Sequence, residues 1–125
     1  MSATAEVSVE SPASSQLASE LWISFTSLLR SHVAMHSIAA PAHALRFHSG
    51  SNARLEVLGP FGKLSILGPN ASGIGATEFR PENGGSDDEY ATFFFTEDGL
   101  IRFEGVEHAL EVEAAVEYLL HKVQA

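Results

Sequence analysis

The chain has 125 residues, of which 45% are hydrophobic and 18% charged, and this length and balance fit one globular domain. It contains no cysteine, which excludes disulfide frameworks, cysteine nucleophiles and thiolate metal sites, and which fits a reducing compartment such as the cytoplasm. The net charge of −9 opposes binding to nucleic acids or anionic membranes, because both are themselves negative.

The N-terminal residues 1–16 lack the basic and apolar regions of a secretory signal and are rich in serine, alanine and glutamate. We expect a disordered tail over residues 1–16, followed by a single domain over residues 17–125. The longest apolar run, near Leu21–Leu29, is interrupted by three hydroxyl residues and is too short to cross a bilayer.

A long helix is predicted over about Ser15–Ala39, because apolar residues recur there at steps of three and four. Ser14 or Ser15 can cap its first turn, and Pro41 ends it. The opposite face of this helix is weakly polar, and two interpretations stay open. It is either a serine-rich exposed face or a surface that is partly buried against another subunit. Its serines are Ser19, Ser24, Ser27, Ser31 and Ser37.

Six strands follow, each marked by alternation of apolar and polar residues and bounded by turn residues. The sequence Gly59-Pro60-Phe61-Gly62 predicts one hairpin turn and Asp98-Gly99 a second, so neighbouring strands run antiparallel. The predicted strands are His43–His48, Arg54–Leu58, Lys63–Leu67, Ala76–Arg80, Glu89–Thr96 and Leu100–Glu104.

A last helix is predicted over about Val106–Lys122, with Glu107 and Glu111 in its first turns, where carboxylates suit the helix dipole. The fold class is therefore α+β. We expect a single antiparallel sheet of five to six strands, with N- and C-terminal helices packed on one face, in the order helix–strands–helix.

Alternation also predicts which side chains project from the face of the sheet that the helices leave open. Five of the chain's seven cations fall on that face, together with two aromatic residues, and arginine with aromatic residues is typical of binding surfaces. The alternative is that carboxylates on the same face pair with these cations and no ligand is involved. The candidate binding residues are Arg46, Arg54, Lys63, Arg80, Tyr90, Phe94 and Arg102.

Two histidines on the first helix, His32 and His36, are one turn apart, a spacing that can hold a transition metal. The competing interpretation is a pair of half-buried histidines satisfied by carbonyl groups. The glycine-rich loop Gly68–Gly75 lacks the lysine and hydroxyl of a phosphate-binding loop, so nucleotide binding is not expected.

No arrangement of residues in the chain matches a catalytic motif, and no cofactor is predicted. The favoured hypothesis is a non-enzymatic, cytoplasmic protein-interaction module, possibly a homodimer, that binds a protein partner or itself through the open sheet face. One alternative is a metal-binding protein that uses His32 and His36. Another is a small enzyme with a pocket between helix and sheet.

Overall fold

The computed structural model describes residues 11–50, 53–82 and 87–124. Within them the chain forms two α-helices and a six-stranded antiparallel sheet in the order helix–strands–helix, which confirms the predicted α+β fold. A turn of 3-10 helix at Pro41–His43 connects the first helix to the sheet. The elements are α1 (Ser15–Ala39), β1 (Arg46–Ser49), β2 (Arg54–Gly59), β3 (Gly62–Leu67), β4 (Gly75–Pro81), β5 (Glu89–Phe95), β6 (Ile101–Phe103) and α2 (Val112–Gln124).

Helix α1 begins and ends at the predicted residues. The side chain of Ser14 accepts a hydrogen bond from the Leu17 amide at 3.2 Å, which satisfies one of the unpaired donors of the first turn. Phe25, Leu29 and Val33 recur at steps of four and are its buried residues. They form the stripe that packs against the sheet and α2, as the periodicity of the sequence predicts.

The six strands are arranged in chain order, so each strand pairs with the next one along the sequence. The turn between β2 and β3 requires glycine at its end, because Gly62 has a φ of 153°. A Cβ atom at Gly62 would lie 2.4 Å from the carbonyl oxygen of Arg80. This close approach allows β4 to pair with β3 up to the turn.

The core lies between the helices and one face of the sheet. The inward set that alternation predicts is confirmed, with Phe47 partly buried and the other members 0–9% exposed. Aromatic rings connect the layers: Trp22 of α1 stacks on Phe25 at 5.6 Å and lies 6.5 Å from Phe93 of β5. The confirmed inward residues are Leu45, Phe47, Leu55, Val57, Leu64, Ile66, Phe79, Phe93, Phe95, Ile101 and Phe103.

The predicted start of the last helix at Val106 is wrong, since α2 begins at Val112. Ile101 and Leu110 exchange both backbone hydrogen bonds at 2.8 Å, so the chain after β6 turns back and pairs briefly with the edge of the sheet. Glu107 and Glu111 therefore precede the helix. Glu113 is the acidic residue in its first turn.

Parts of two predicted segments fall outside the described residues: positions 1–10 of the tail and 83–86 of the loop after β4. In the residues that precede α1, the Ala13 amide donates to the Phe95 carbonyl at 2.8 Å, and the Ser11 carbonyl accepts from the Glu97 amide at 2.9 Å. These bonds attach the residues before α1 to the end of β5. The division into tail and domain at residues 16 and 17 stays a prediction.

Candidate binding face of the sheet

Among the described residues, both helices pack against one face of the sheet and leave the other uncovered. The register places outward side chains from neighbouring strands side by side. We call this surface the open face. It consists of Arg46, His48, Arg54, Glu56, Leu58, Lys63, Ser65, Leu67, Ala76, Glu78, Arg80, Tyr90, Thr92, Phe94, Arg102 and Glu104.

Charges on the open face form two rows that run across the strands. The basic row contains Lys63 and Arg80, and the acidic row contains Glu56 and Glu78. Lys63 lies directly opposite Arg80, and two residues further along these strands Ser65 lies opposite Glu78. Glu56 is the cross-strand partner of Ser65 on its other side. Like charges placed opposite each other destabilise a sheet, so the basic row needs the neighbouring acidic row.

Glu56 connects the two rows on the β2 side. Its Oε2 atom lies 3.4 Å from Arg54 Nε and 3.5 Å from Lys63 Nζ. One carboxylate thus holds two of the predicted binding cations. The contact with Lys63 is the cross-strand ion pairing that the sequence left open as an alternative, whereas the contact with Arg54 lies within β2. Both contacts neutralise part of the positive charge that a ligand would meet.

Arg80 connects the rows on the β4 side, with Nη2 at 3.2 Å from Glu78 and Nε at 3.3 Å from Asp88. The hydrogen bond to Asp88 and its charge, with a further contribution from Glu78, raise the pKa of Arg80. The charge of Glu78, followed by partial desolvation, also raises the pKa of Tyr90. Tyr90 therefore keeps its proton, and its phenol remains a hydrogen-bond donor on this face.

Next to the two rows lies a hollow of about 160 Å³ that sequence reasoning missed. It forms because Ser65 and Ala76 are small residues on the two central strands, and the longer side chains of Leu67 and Tyr90 stand beside them. Tyr90 is 71% exposed and Leu67 43%. Small residues at outward positions of central strands are the signal in the sequence that indicates such a hollow.

Of the seven predicted binding residues, the structure gathers Arg54, Lys63, Arg80 and Tyr90 around the two rows and the hollow. Arg46 lies at the edge, on β1, where its cross-strand partner is Leu58. Phe94 and Arg102 are cross-strand partners at the opposite end of the sheet, and Arg102 donates to the backbone carbonyl of Glu107. These three residues extend the surface beyond its centre.

The two histidines of the predicted metal site have different surroundings. His36 Nε2 lies 3.2 Å from the His43 carbonyl oxygen. His32 Nε2 instead lies 3.6 Å from Glu113 Oε2, and ligand atoms of His32, Glu113 and Glu117 all lie within 4.8 Å of one another. The sequence contained the signal for this second group, since two glutamates four residues apart share a helix face, but not its pairing with α1.

A cavity of about 180 Å³ lies between α2 and the sheet, where a pocket was expected for an enzyme. At its rim Lys122 Nζ lies 2.9 Å from Glu89 Oε1 and 5.3 Å from the centre of the Tyr118 ring. The lysine is therefore engaged by a carboxylate and an aromatic ring. These two contacts explain the position of Lys122, and no catalytic role is needed to account for it.

No family model, curated protein or solved structure matches the chain in comparisons with known proteins. Within the described residues, neither helix has the length and apolar character needed to cross a membrane.

Proposed function

We propose that the protein is a non-enzymatic interaction module that binds a protein partner, a second copy included, through the open face. The observation that supports this proposal is an uncovered face of a six-stranded sheet, on which Tyr90 and Leu67 are exposed beside a hollow. A cytoplasmic location belongs to the same proposal and rests on the absence of cysteine.

The dimensions of the open face suit a small protein interface. The six strands have three to seven residues, so they are about 10–24 Å long, and at a spacing of about 4.8 Å they span about 24 Å across the sheet. Standard interfaces bury about 800 Å² of accessible surface on each partner, so contacts on this face and its rim are of the required order.

The apolar and charged residues of the open face contribute to binding in different ways. Tyr90 and Leu67 supply the apolar contact, and exposed aromatic anchors beside small pockets dominate binding energy in protein interfaces. The charged rows are already paired within the face, so they contribute orientation rather than most of the affinity. A partner that fits has an apolar side chain for the hollow and acidic and basic groups in register with the rows.

The test compares two surface variants, each of which replaces two exposed apolar residues by serine. The double substitution Leu67→Ser and Tyr90→Ser removes the apolar contacts of the open face, and Met35→Ser with Ile38→Ser removes two exposed apolar side chains of α1. Sedimentation velocity measures self-association, and quantitative affinity purification measures other protein partners. We expect only the open-face variant to lose association. Equal losses, or a loss confined to the α1 variant, would contradict the proposal.

Metal binding is a second candidate function, favoured by the group of His32, Glu113 and Glu117. One imidazole and two carboxylates are ligands that zinc accepts, and the three side chains come from two packed helices. We expect protein without an affinity tag to bind Zn²⁺ in calorimetry, and His32→Asn to weaken binding at least tenfold. His36→Asn is the matched control, and an equal loss in it would instead support the pair predicted from the sequence.

A further inference from the structure

A cleft of about 530 Å³ lies between the first turns of α1 and the loop that connects β3 to β4. Its volume falls in the range of small-molecule binding sites, about 300–1,000 Å³. Twelve of the described residues line it and none of these is charged, although 18% of the whole chain is. A charged ligand would lose hydration there without gaining a counter-charge, so the lining favours a neutral ligand.

Besides the hydroxyls of its serines, the cleft has two side chains that offer N–H donors, Asn70 and Trp22. Asn70 Oδ1 accepts from the backbone amides of Ser72 at 2.8 Å and Ile74 at 3.1 Å, which fixes the orientation of the side chain. Its Nδ2 group then keeps two N–H donors. The indole N–H of Trp22 has no partner among the described residues. The indole nitrogen is not fully buried, because no fully buried side-chain nitrogen or oxygen among the described residues lacks a partner.

Trp22 is held in place by its surroundings. Its ring is nearly parallel to those of Phe25 and Phe93, with interplanar angles of 17° and 19°. Gly68 approaches the indole so closely that a Cβ atom there would lie 2.8 Å from Trp22 Cε2. A side chain held on several sides loses little freedom on binding, which favours affinity.

We propose that this cleft binds a neutral, planar molecule with a carbonyl acceptor, of the chemical class of aromatic amides. The carbonyl oxygen accepts from Asn70 Nδ2 or from the Trp22 indole N–H, and the ring occupies the uncharged space beside Trp22. The cleft is separate from the open face, because its lining residues belong to α1, the residues before it and loops.

The experiment uses the only tryptophan of the chain as its reporter. In a ¹⁵N-labelled sample the indole N–H of Trp22 gives one cross-peak, which is followed during titration with benzamide. Benzoate and benzamidine have nearly the same shape but carry a negative and a positive charge, so they test the preference for a neutral ligand. We expect a saturable shift with benzamide, and binding at least fivefold weaker for both charged probes.

Two variants make the result specific to the cleft. Ser19→Leu places a large side chain in the lining, and Ser27→Leu adds the same side chain elsewhere on the exposed surface of α1. Asn70→Asp keeps the oxygen acceptor, removes the N–H donors and adds a negative charge. We expect Ser19→Leu to abolish the benzamide shift and Ser27→Leu to preserve it, whereas Asn70→Asp weakens benzamide at least fivefold and strengthens benzamidine.

The inference is overturned if benzamide gives no saturable shift, if all three probes bind equally, or if Ser19→Leu leaves the titration unchanged. Its failure is distinguishable from failure of the proposed interaction function. The open-face variant Leu67→Ser with Tyr90→Ser should titrate with benzamide as the unmodified protein does, because neither residue lines the cleft.

Discussion

The open face and the outer side of α1 are both uncovered, but they expose apolar side chains in different ways. On α1, Ile23, Met35 and Ile38 are 64–79% exposed. Met35 and Ile38 lie one turn apart, whereas exposed serines, Arg30 and Ala34 separate Ile23 from them. Fifteen residues at 1.5 Å each spread them over about 23 Å. On the open face, Tyr90 and Leu67 come from different strands but lie beside one hollow.

The comparison shows that fractional exposure alone does not identify a binding surface. Scattered apolar side chains are common on protein surfaces and need no partner. A contiguous group that includes an aromatic residue, a hollow and charged neighbours has the composition of an interface. The sheet assembles such a group, because strand pairing places residues from distant parts of the sequence side by side.

The largest expected effect comes from removing a core side chain that packs between the sheet and α1, beneath both surfaces. Phe93 is 2% exposed, contacts Trp22 of α1 and lies on the inner face of β5. We expect Phe93→Ala to lower the free energy of unfolding by about 3–5 kcal/mol, since it leaves a cavity in the core. Urea denaturation measures this change. Phe61→Ala, at a 46% exposed position, is the control and should cost far less.

The next effect distinguishes a half-buried serine of α1, Ser37, from an exposed one, Ser27. The Ser37 hydroxyl donates to the Leu45 carbonyl and accepts from the Leu45 amide, both at 3.0 Å, so it fixes the segment that leads into β1. We expect Ser37→Ala to destabilise the protein by about 1–2 kcal/mol, because two backbone groups lose their partner. Ser27→Ala, at an exposed position, should change stability by less than about 0.5 kcal/mol. Equal effects would contradict this account.

A smaller effect on stability is expected from removing a paired charge on the open face, compared with a charge without an ion pair on α1. Glu56 contacts Arg54 and Lys63 on the open face, whereas Glu20 on α1 has no ion pair among the described residues. We expect Glu56→Gln to cost about 0.2–1 kcal/mol at low salt, and less at high salt because ions screen the pairs. Glu20→Gln should have no salt-dependent effect, as measured by thermal unfolding at two ionic strengths.

The smallest effect concerns the proton of Tyr90, whose pKa is raised chiefly by the charge of Glu78. Subtracting the ultraviolet titration of Tyr90→Phe from that of the unmodified protein isolates this phenol, which should ionise above the usual value of about 10. Glu78→Gln should lower that pKa. Because the folded-state pKa is raised, this contribution to stability is present below pH 10 and is lost as the pH rises through the raised pKa.

The order of elements and the inward set of the sheet were predictable from the sequence, because alternation with period two assigns each strand residue to a face. The start of the last helix was not. The apolar and acidic pattern after β6 suits a helix from Val106, but a backbone pairing between Ile101 and Leu110 holds that segment at the sheet edge. Such pairing depends on where the edge lies, which local periodicity does not contain.

The candidate sites were also predictable only in part. The outward residues of the open face followed from the pattern of single strands, but their ion pairs and the hollow depend on the register between strands. His32 was recognised by its spacing from His36, whereas its neighbours Glu113 and Glu117 lie more than eighty residues away on α2. Contacts between helices follow from packing, which spacing along one helix does not show.

The sequence by itself determined the kinds of element, their order and the inner or outer position of most strand residues, since these follow from local periodicity and turn chemistry. Only the tertiary structure decided which charges neutralise each other, where Ser65 and Ala76 open a hollow, and how loop and helix enclose the cleft beside Trp22. Each of these depends on distances between residues far apart in the chain, and packing and strand register set those distances.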